Sequence, residues 1–296
     1  MIGSCLLGAA IAVTNFVCTP FGAPELKLLK GEKMTLPEGY QLVWSDDFDG
    51  DALDRTKWDG HNFTDGRSIR RNGEEYWNMQ MASVKDGNLH IALKYFADGL
   101  DGGGAGWYSA GLSTNGRYMP TYGYYEIRAI LPDGNGTLPA FWLQSNAMGN
   151  VDGSGRDGSE IDIMECASAH KPWPYKPTIL NTIHFDGYGD GHQEKSGGFT
   201  YIPGNPFKEY HTYGLLWTPT EYVFYTDGIE TWRTDFGGVS QNPEYLILSL
   251  HAKTDTGHNP NGNLAGWCGH VAADGKMKQP TDFIVDYVRV YQLRES

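Results

Sequence analysis

Six consecutive residues, Glu160-Ile161-Asp162-Ile163-Met164-Glu165, place three carboxylates on one short apolar segment. Carboxylates gathered this closely drive one another's pKa values apart, so that one is ionised near neutrality while a neighbour keeps its proton. An ionised carboxylate is a nucleophile and a protonated one a general acid, the pair that suits cleavage of a glycosidic bond. The spacing carries a difficulty. Along a strand the side chains alternate, so Glu160, Asp162 and Met164 share one face and Glu165 points to the other. A single β-bulge between Asp162 and Glu165 inserts one residue and re-aims Glu165 onto the face of the other two acids. The competing reading is a solvated acidic edge strand. Ile161 and Ile163 argue against it, because they bury the opposite face and hold the strand inside a sheet.

The elements that must position this strand follow from the rest of the chain. Its 296 residues are enough for one large all-β domain with a full core. Short apolar and aromatic runs predict strands over Leu89 to Tyr95, Tyr124 to Leu131, Ala140 to Gln144, Glu160 to Glu165, Ile179 to Phe185, Tyr213 to Thr218, Tyr222 to Thr226, Tyr245 to Leu250 and Phe283 to Gln292. No long helical period or internal repeat interrupts them. With 39 Gly and 15 Pro marking turns, the expected architecture is a sandwich of two antiparallel sheets. Two Gly-rich loops, Asp98 to Gly106 and Gly149 to Gly158, are expected to border a cleft. Neither has the lysine, the serine or threonine, or the following helix of a phosphate-cradling loop.

A formal net charge of -13 excludes the basic footprint that nucleic acid or an anionic membrane requires, and it disfavours a strongly sulfated polysaccharide. The 9 Trp and 18 Tyr suit both a β-rich core and a cleft that stacks on sugar rings. Residues 1–18 are largely apolar and small and read as a secretory leader, although no basic stretch precedes them. The segment is too short to span a bilayer securely. Residues 19–39, with Pro20, Pro24 and Pro37, read as a linker or strap, and residues 40–296 as the catalytic domain. The mature protein is therefore expected to be secreted, monomeric and free of the membrane. Cys5 and Cys18 fall in the leader, which leaves Cys166 and Cys268 in the domain. A thiol packed beneath the acidic strand is favoured there over a disulfide.

Gly158-Ser159-Glu160-Ile161-Asp162-Ile163-Met164-Glu165 resembles the active strand of glycoside hydrolase family 16, whose laminarinase-like and lichenase-like members carry a bulged Glu-x-Asp-x-x-Glu motif. Further segments resemble family landmarks in the right order: Trp44-Ser45-Asp46-Asp47-Phe48-Asp49-Gly50, Asp86-Gly87-Asn88-Leu89-His90-Ile91, Pro139-Ala140-Phe141-Trp142-Leu143, His211-Thr212-Tyr213, Thr226-Asp227-Gly228 and Val285-Asp286-Tyr287-Val288-Arg289-Val290-Tyr291. The resemblance covers residues 40 to 292 and implies a concanavalin A-like β-jelly-roll with a groove for a long polysaccharide.

Carried over by position, the resemblance makes Glu160 the nucleophile, Glu165 the acid/base and Asp162 the supporting acid between them. It implies a sugar platform at Trp142 and a groove residue at His184. Trp77, Trp173 and Trp267 become candidates for outer subsites, and His211 is expected to stand behind the site. No cofactor is required. A structural calcium is implied on the far face, held by the carbonyls of Asp47 and Gly87 and the side chain of Asp286. The implied activity is retaining endo-hydrolysis of a β-1,3- or mixed-linkage β-1,3-1,4-glucan by double displacement. This sequence departs from the best-known glucanase patterns at Leu246 to His251, at the loop Asp186 to His192 and at Trp267-Cys268-Gly269. Those departures keep three alternatives open: a galactan hydrolase of agarase or carrageenase type, a transglycosylase, and a non-catalytic lectin.

Overall fold

The computed structural model describes residues 26–294 except 64, 72–74, 168, 170, 172–175, 254–267, 273–274 and 276–281. Two large sheets face each other. The acidic strand Glu160–Glu165 lies inside the first, in the order Lys27–Leu28, Thr200–Tyr201, Thr178–Phe185, Glu160–Glu165, Thr137–Ser145, Glu244–Ala252, Gly111–Ser113, Asp59–Gly60. A short strand, Gln193–Ser196, also pairs with Thr178–Phe185. The opposing sheet runs Ile229–Thr234, Tyr222–Thr226, His211–Trp217, Gly123–Ile130, Phe283–Leu293, Asn88–Ile91, Ala82–Lys85, with Tyr40–Asp46 beside Phe283–Leu293. The two-sheet jelly roll expected from the sequence is thus present. A small third sheet of Ile69–Arg70, Tyr76–Trp77, Gly106–Ser109 and Lys94–Phe96 accompanies it.

Alternation along the strands explains why the sheets stack. From the acidic sheet Leu246, Leu248 and Leu250 point inward, and from the opposing sheet Tyr125, Ile127, Leu215, Phe224, Val288 and Val290 meet them in one core cluster. Burying each such side chain contributes about 1.5–3 kcal/mol. The intervening residues of the acidic sheet are left to face a cleft. The strand expected over Leu89 to Tyr95 is divided, because the chain leaves the opposing sheet after Ile91 and enters the small sheet at Lys94. Ala92 and Leu93 at the crossing are both buried.

Cys166 and Cys268 are buried thiols and form no disulfide. His211 lies in the opposing sheet, paired with Asp227 at 2.8 Å, away from the acids. Among the described residues no helix is long and apolar enough to cross a membrane.

Candidate active site

The bulge is present where the phase requires it. On one side Asp162 faces Thr182 and Glu165 faces Leu180, so three steps along the acidic strand match two on its neighbour. On the other side Asp162 faces Trp142 and Met164 faces Phe141, which leaves Ile163 as the inserted residue. Ile161, Ile163 and Met164 consequently all enter the core, while Glu160, Asp162 and Glu165 all line one open cleft of about 410 Å³.

A bulge frees backbone groups from the ladder, and a buried carbonyl left alone costs about 1–3 kcal/mol. Asn181 prevents that loss. Its Nδ2 donates to the Ile163 carbonyl at 2.6 Å, and its Oδ1 accepts from Thr231 Oγ1 of the opposing sheet at 2.8 Å. This side chain, itself buried, ties the distortion of one sheet to the other. The sequence signal was a lone amide in the apolar strand Ile179 to Phe185, but nothing local indicated what it served.

Glu160 Oε2 accepts from Gln144 Nε2 at 2.9 Å and from the Tyr188 hydroxyl, and Gln144 Oε1 accepts from Tyr245 at 2.6 Å. His184 stands opposite Glu160 on the adjacent strand, with Nε2 3.1 Å from Asp162 Oδ2 and 4.0 Å from Glu160 Oε1. Burial pushes the Glu160 carboxyl up to about 8, Asp162 adding to the effect and His184, Tyr188 and Gln144 opposing it. Burial, then the charge of Glu194, pushes Asp162 up to about 8 as well. Glu165 is raised well above the carboxylate range by burial and then by Asp162. Because Glu160 accepts two hydrogen bonds that favour its charge and has His184 beside it, its carboxyl is held below that of Glu165, which keeps its proton longer.

The same shifts set a pH dependence of stability. The folded chain holds protons on Glu160 and Asp162 that the unfolded chain has released, so their penalty is absent below the unfolded values and grows as pH rises toward about 8. Glu160→Gln removes one such group. Its melting temperature minus that of the unaltered protein is expected to increase between about pH 5 and pH 9 in calorimetric scans. A difference that shrinks with rising pH would contradict the assignment.

Trp142 lies at the cleft surface, where its Nε1 donates to Ser249 Oγ at 3.1 Å and its ring meets His61 edge-on at 5.4 Å. Trp77, expected at an outer subsite, instead has no exposed surface. The Arg71 guanidinium covers its ring at 4.2 Å, His251 lies against it at 4.6 Å, and its Nε1 donates to the Leu250 carbonyl. Gly111 makes room for that ring, since a Cβ there would stand 2.3 Å from Trp77. Trp77 is therefore a support for Arg71 and His251, both of which line the cleft. The fully buried Glu75 carboxylate in turn lies 2.7 Å from His251. Trp173 and Trp267 lie outside the described residues. Among the described cleft residues none comes from the loops 98–106 or 149–158, whereas Tyr188 of the loop Asp186 to His192 reaches Glu160.

Two of the residues expected to hold calcium have their side chains in ion pairs. Asp286 Oδ2 accepts from Arg128 at 2.5 Å, and Asp47 Oδ1 accepts from Arg289 at 2.5 Å. Gly87 occupies a turn at φ 69°, which its lack of a side chain explains without a metal.

The chain matches the family model described as the beta-porphyranase A-D GH16 domain over residues 41–293. It is 29% identical over 283 residues to glucan endo-1,3-beta-glucosidase A1 of Niallia circulans, covering 86% of this chain and 38% of that protein. It is 28% identical over 269 residues to keratan-sulfate endo-1,4-beta-galactosidase of Sphingobacterium multivorum, covering 86% of this chain and 56% of that protein. The chain thus spans about 38% and 56% of the lengths of these two relatives. Among solved structures it is similar to SCLam, a non-specific endo-beta-1,3(4)-glucanase, with a TM-score of 0.65 and 30% identity, covering 89% of this chain and 95% of that one. With the family match running through both large sheets and the acid-lined cleft, the chain belongs to glycoside hydrolase family 16.

Proposed function

We propose that this glycoside hydrolase is an exported, endo-acting β-glycanase that retains anomeric configuration. Glu160 attacks the anomeric carbon while Glu165 protonates the leaving oxygen; Glu165 then takes a proton from the water that releases the glycosyl-enzyme. Asp162 shares the negative charge of the group as the covalent bond forms and breaks. The observation that carries the reading is the bulge at Ile163, which puts three acids on one cleft face, with the Glu160 carboxyl held below that of Glu165 by its hydrogen-bond donors and His184. Trp142, fixed by Ser249 and His61, offers a ring on which a pyranose can stack in a reactive orientation. The open cleft suits a chain that runs past both ends of the site. The apolar residues through 18 support export.

A β-1,3- or mixed-linkage glucan is the first substrate, in keeping with the names of the Niallia relative and of SCLam. A second reading, an anionic galactan, is favoured by one observation: Arg71 brings a guanidinium into the cleft, braced on Trp77. The descriptions of the family model and of the Sphingobacterium relative point the same way. Incubation with laminarin, mixed-linkage β-glucan, agarose, carrageenan and porphyran, followed by sizing of the products, decides between them. The first reading expects mixed oligosaccharides early from a glucan, with Arg71→Ala changing KM by less than about threefold. The second expects products from a sulfated galactan alone, with Arg71→Ala raising KM about tenfold or more. Products from none of the five would overturn both.

A further inference from the structure

Beside the acids, a hairpin carries donors that the reaction does not use. Strand Gln193–Ser196 pairs antiparallel with Thr178–Phe185 and sets Glu194 opposite His184. Glu194 Oε2 lies 3.5 Å from His184 Nδ1. His192, two residues before Glu194, approaches from the same side, its Nε2 2.9 Å from His184 Nδ1 and its ring within 10° of parallel. The donor atoms of His184, His192 and Glu194 all lie within 4.8 Å of one another.

We propose that His184, His192 and Glu194 bind a divalent transition-metal ion, zinc or copper, at the rim of the cleft. Two imidazoles and one carboxylate are borderline donors that suit these ions, whereas calcium prefers an all-oxygen shell. In a tetrahedral zinc site two nitrogens at about 2.0–2.1 Å from the metal stand roughly 3.3 Å apart. The two imidazole nitrogens at 2.9 Å need to separate by only about 0.4 Å to admit the ion.

A second observation is independent of the cluster. A metal-binding histidine is characteristically held through its other ring nitrogen by a carboxylate, which fixes the tautomer and leaves the free lone pair aimed at the ion. His184 has that arrangement, since Nε2 lies 3.1 Å from the buried Asp162 carboxylate while Nδ1 faces His192 and Glu194. Glu194 is exposed and supplies the anionic donor, leaving a coordination position open to water. A bound ion would also pin the loop that carries Tyr188, the residue that donates to Glu160.

The test is titration of the metal-free protein with cobalt(II), read by the visible bands of the four-coordinate ion, and with zinc by calorimetry. One-to-one binding is expected at about pH 7.5, with His192→Ala and Glu194→Gln each weakening zinc by about tenfold or more. Glu160→Gln is expected to leave zinc affinity within about twofold, because Glu160 lies on the other side of the His184 ring. Two results would overturn the proposal. One is the absence of saturable binding. The other is binding that survives His192→Ala but is lost in Glu160→Gln, which would place the ion among Glu160, Asp162 and His184 instead.

Discussion

Glu160→Gln should lower kcat on a polymeric substrate by about a thousandfold or more while leaving the domain folded. The amide keeps the size of the side chain and its place opposite His184, but it cannot form the glycosyl-enzyme. Glu165→Gln should cost about 10²–10⁴-fold, the range for loss of a general acid. The two variants separate on an aryl glycoside with a good leaving group. That substrate needs no protonation, so its first step survives Glu165→Gln and accumulates the glycosyl-enzyme, whereas Glu160→Gln blocks it. Neither variant should be less stable than the parent at alkaline pH, because burial holds both carboxyls well above their ordinary values and each amide removes a charge that the fold must accommodate. Steady-state and burst kinetics on both substrates, with circular dichroism for the fold, check the set. Wild-type kcat in Glu160→Gln would remove it from the mechanism.

The second large effect concerns the residue that holds the bulge. Asn181→Leu keeps the branched outline but strips both hydrogen bonds, stranding the Ile163 carbonyl and the Thr231 hydroxyl. A loss of about 2–4 kcal/mol is expected from two unsatisfied buried groups. For a domain of this size that lowers the melting temperature by roughly 5–10 °C. A merely structural asparagine would stop there. If it fixes the phase of Glu165, kcat should also fall by about tenfold or more at temperatures where the variant is fully folded, with KM moving far less.

How much of this was legible in the sequence depended on the range of the interactions. The acidic strand and its bulge could be read locally, because alternation is a property of one strand and three acids among Ile161, Ile163 and Met164 admit only one phase that gathers them. The buried thiols followed similarly, Cys166 from its place beside Glu165. The partners of Glu160 did not. Gln144 meets it, and Tyr245 meets Gln144, only through the register of separate strands, and Tyr188 arrives on a loop whose path no periodicity encodes. Trp77 shows the converse limit. An aromatic residue on a short strand reads equally as platform or as core, and its burial was decided by Arg71 and His251 closing over it. The acid expected to ligate calcium likewise had a nearer partner, Arg128, standing one strand away.

Nuclear magnetic resonance of the freshly formed reducing end tests the central claim most directly. With Glu160 and Glu165 on one face as nucleophile and acid/base, the first product released from a β-linked substrate should be the β-anomer, which then mutarotates to the equilibrium mixture. Initial appearance of the α-anomer would mean single displacement by water, and would contradict the assignment of Glu160 as nucleophile.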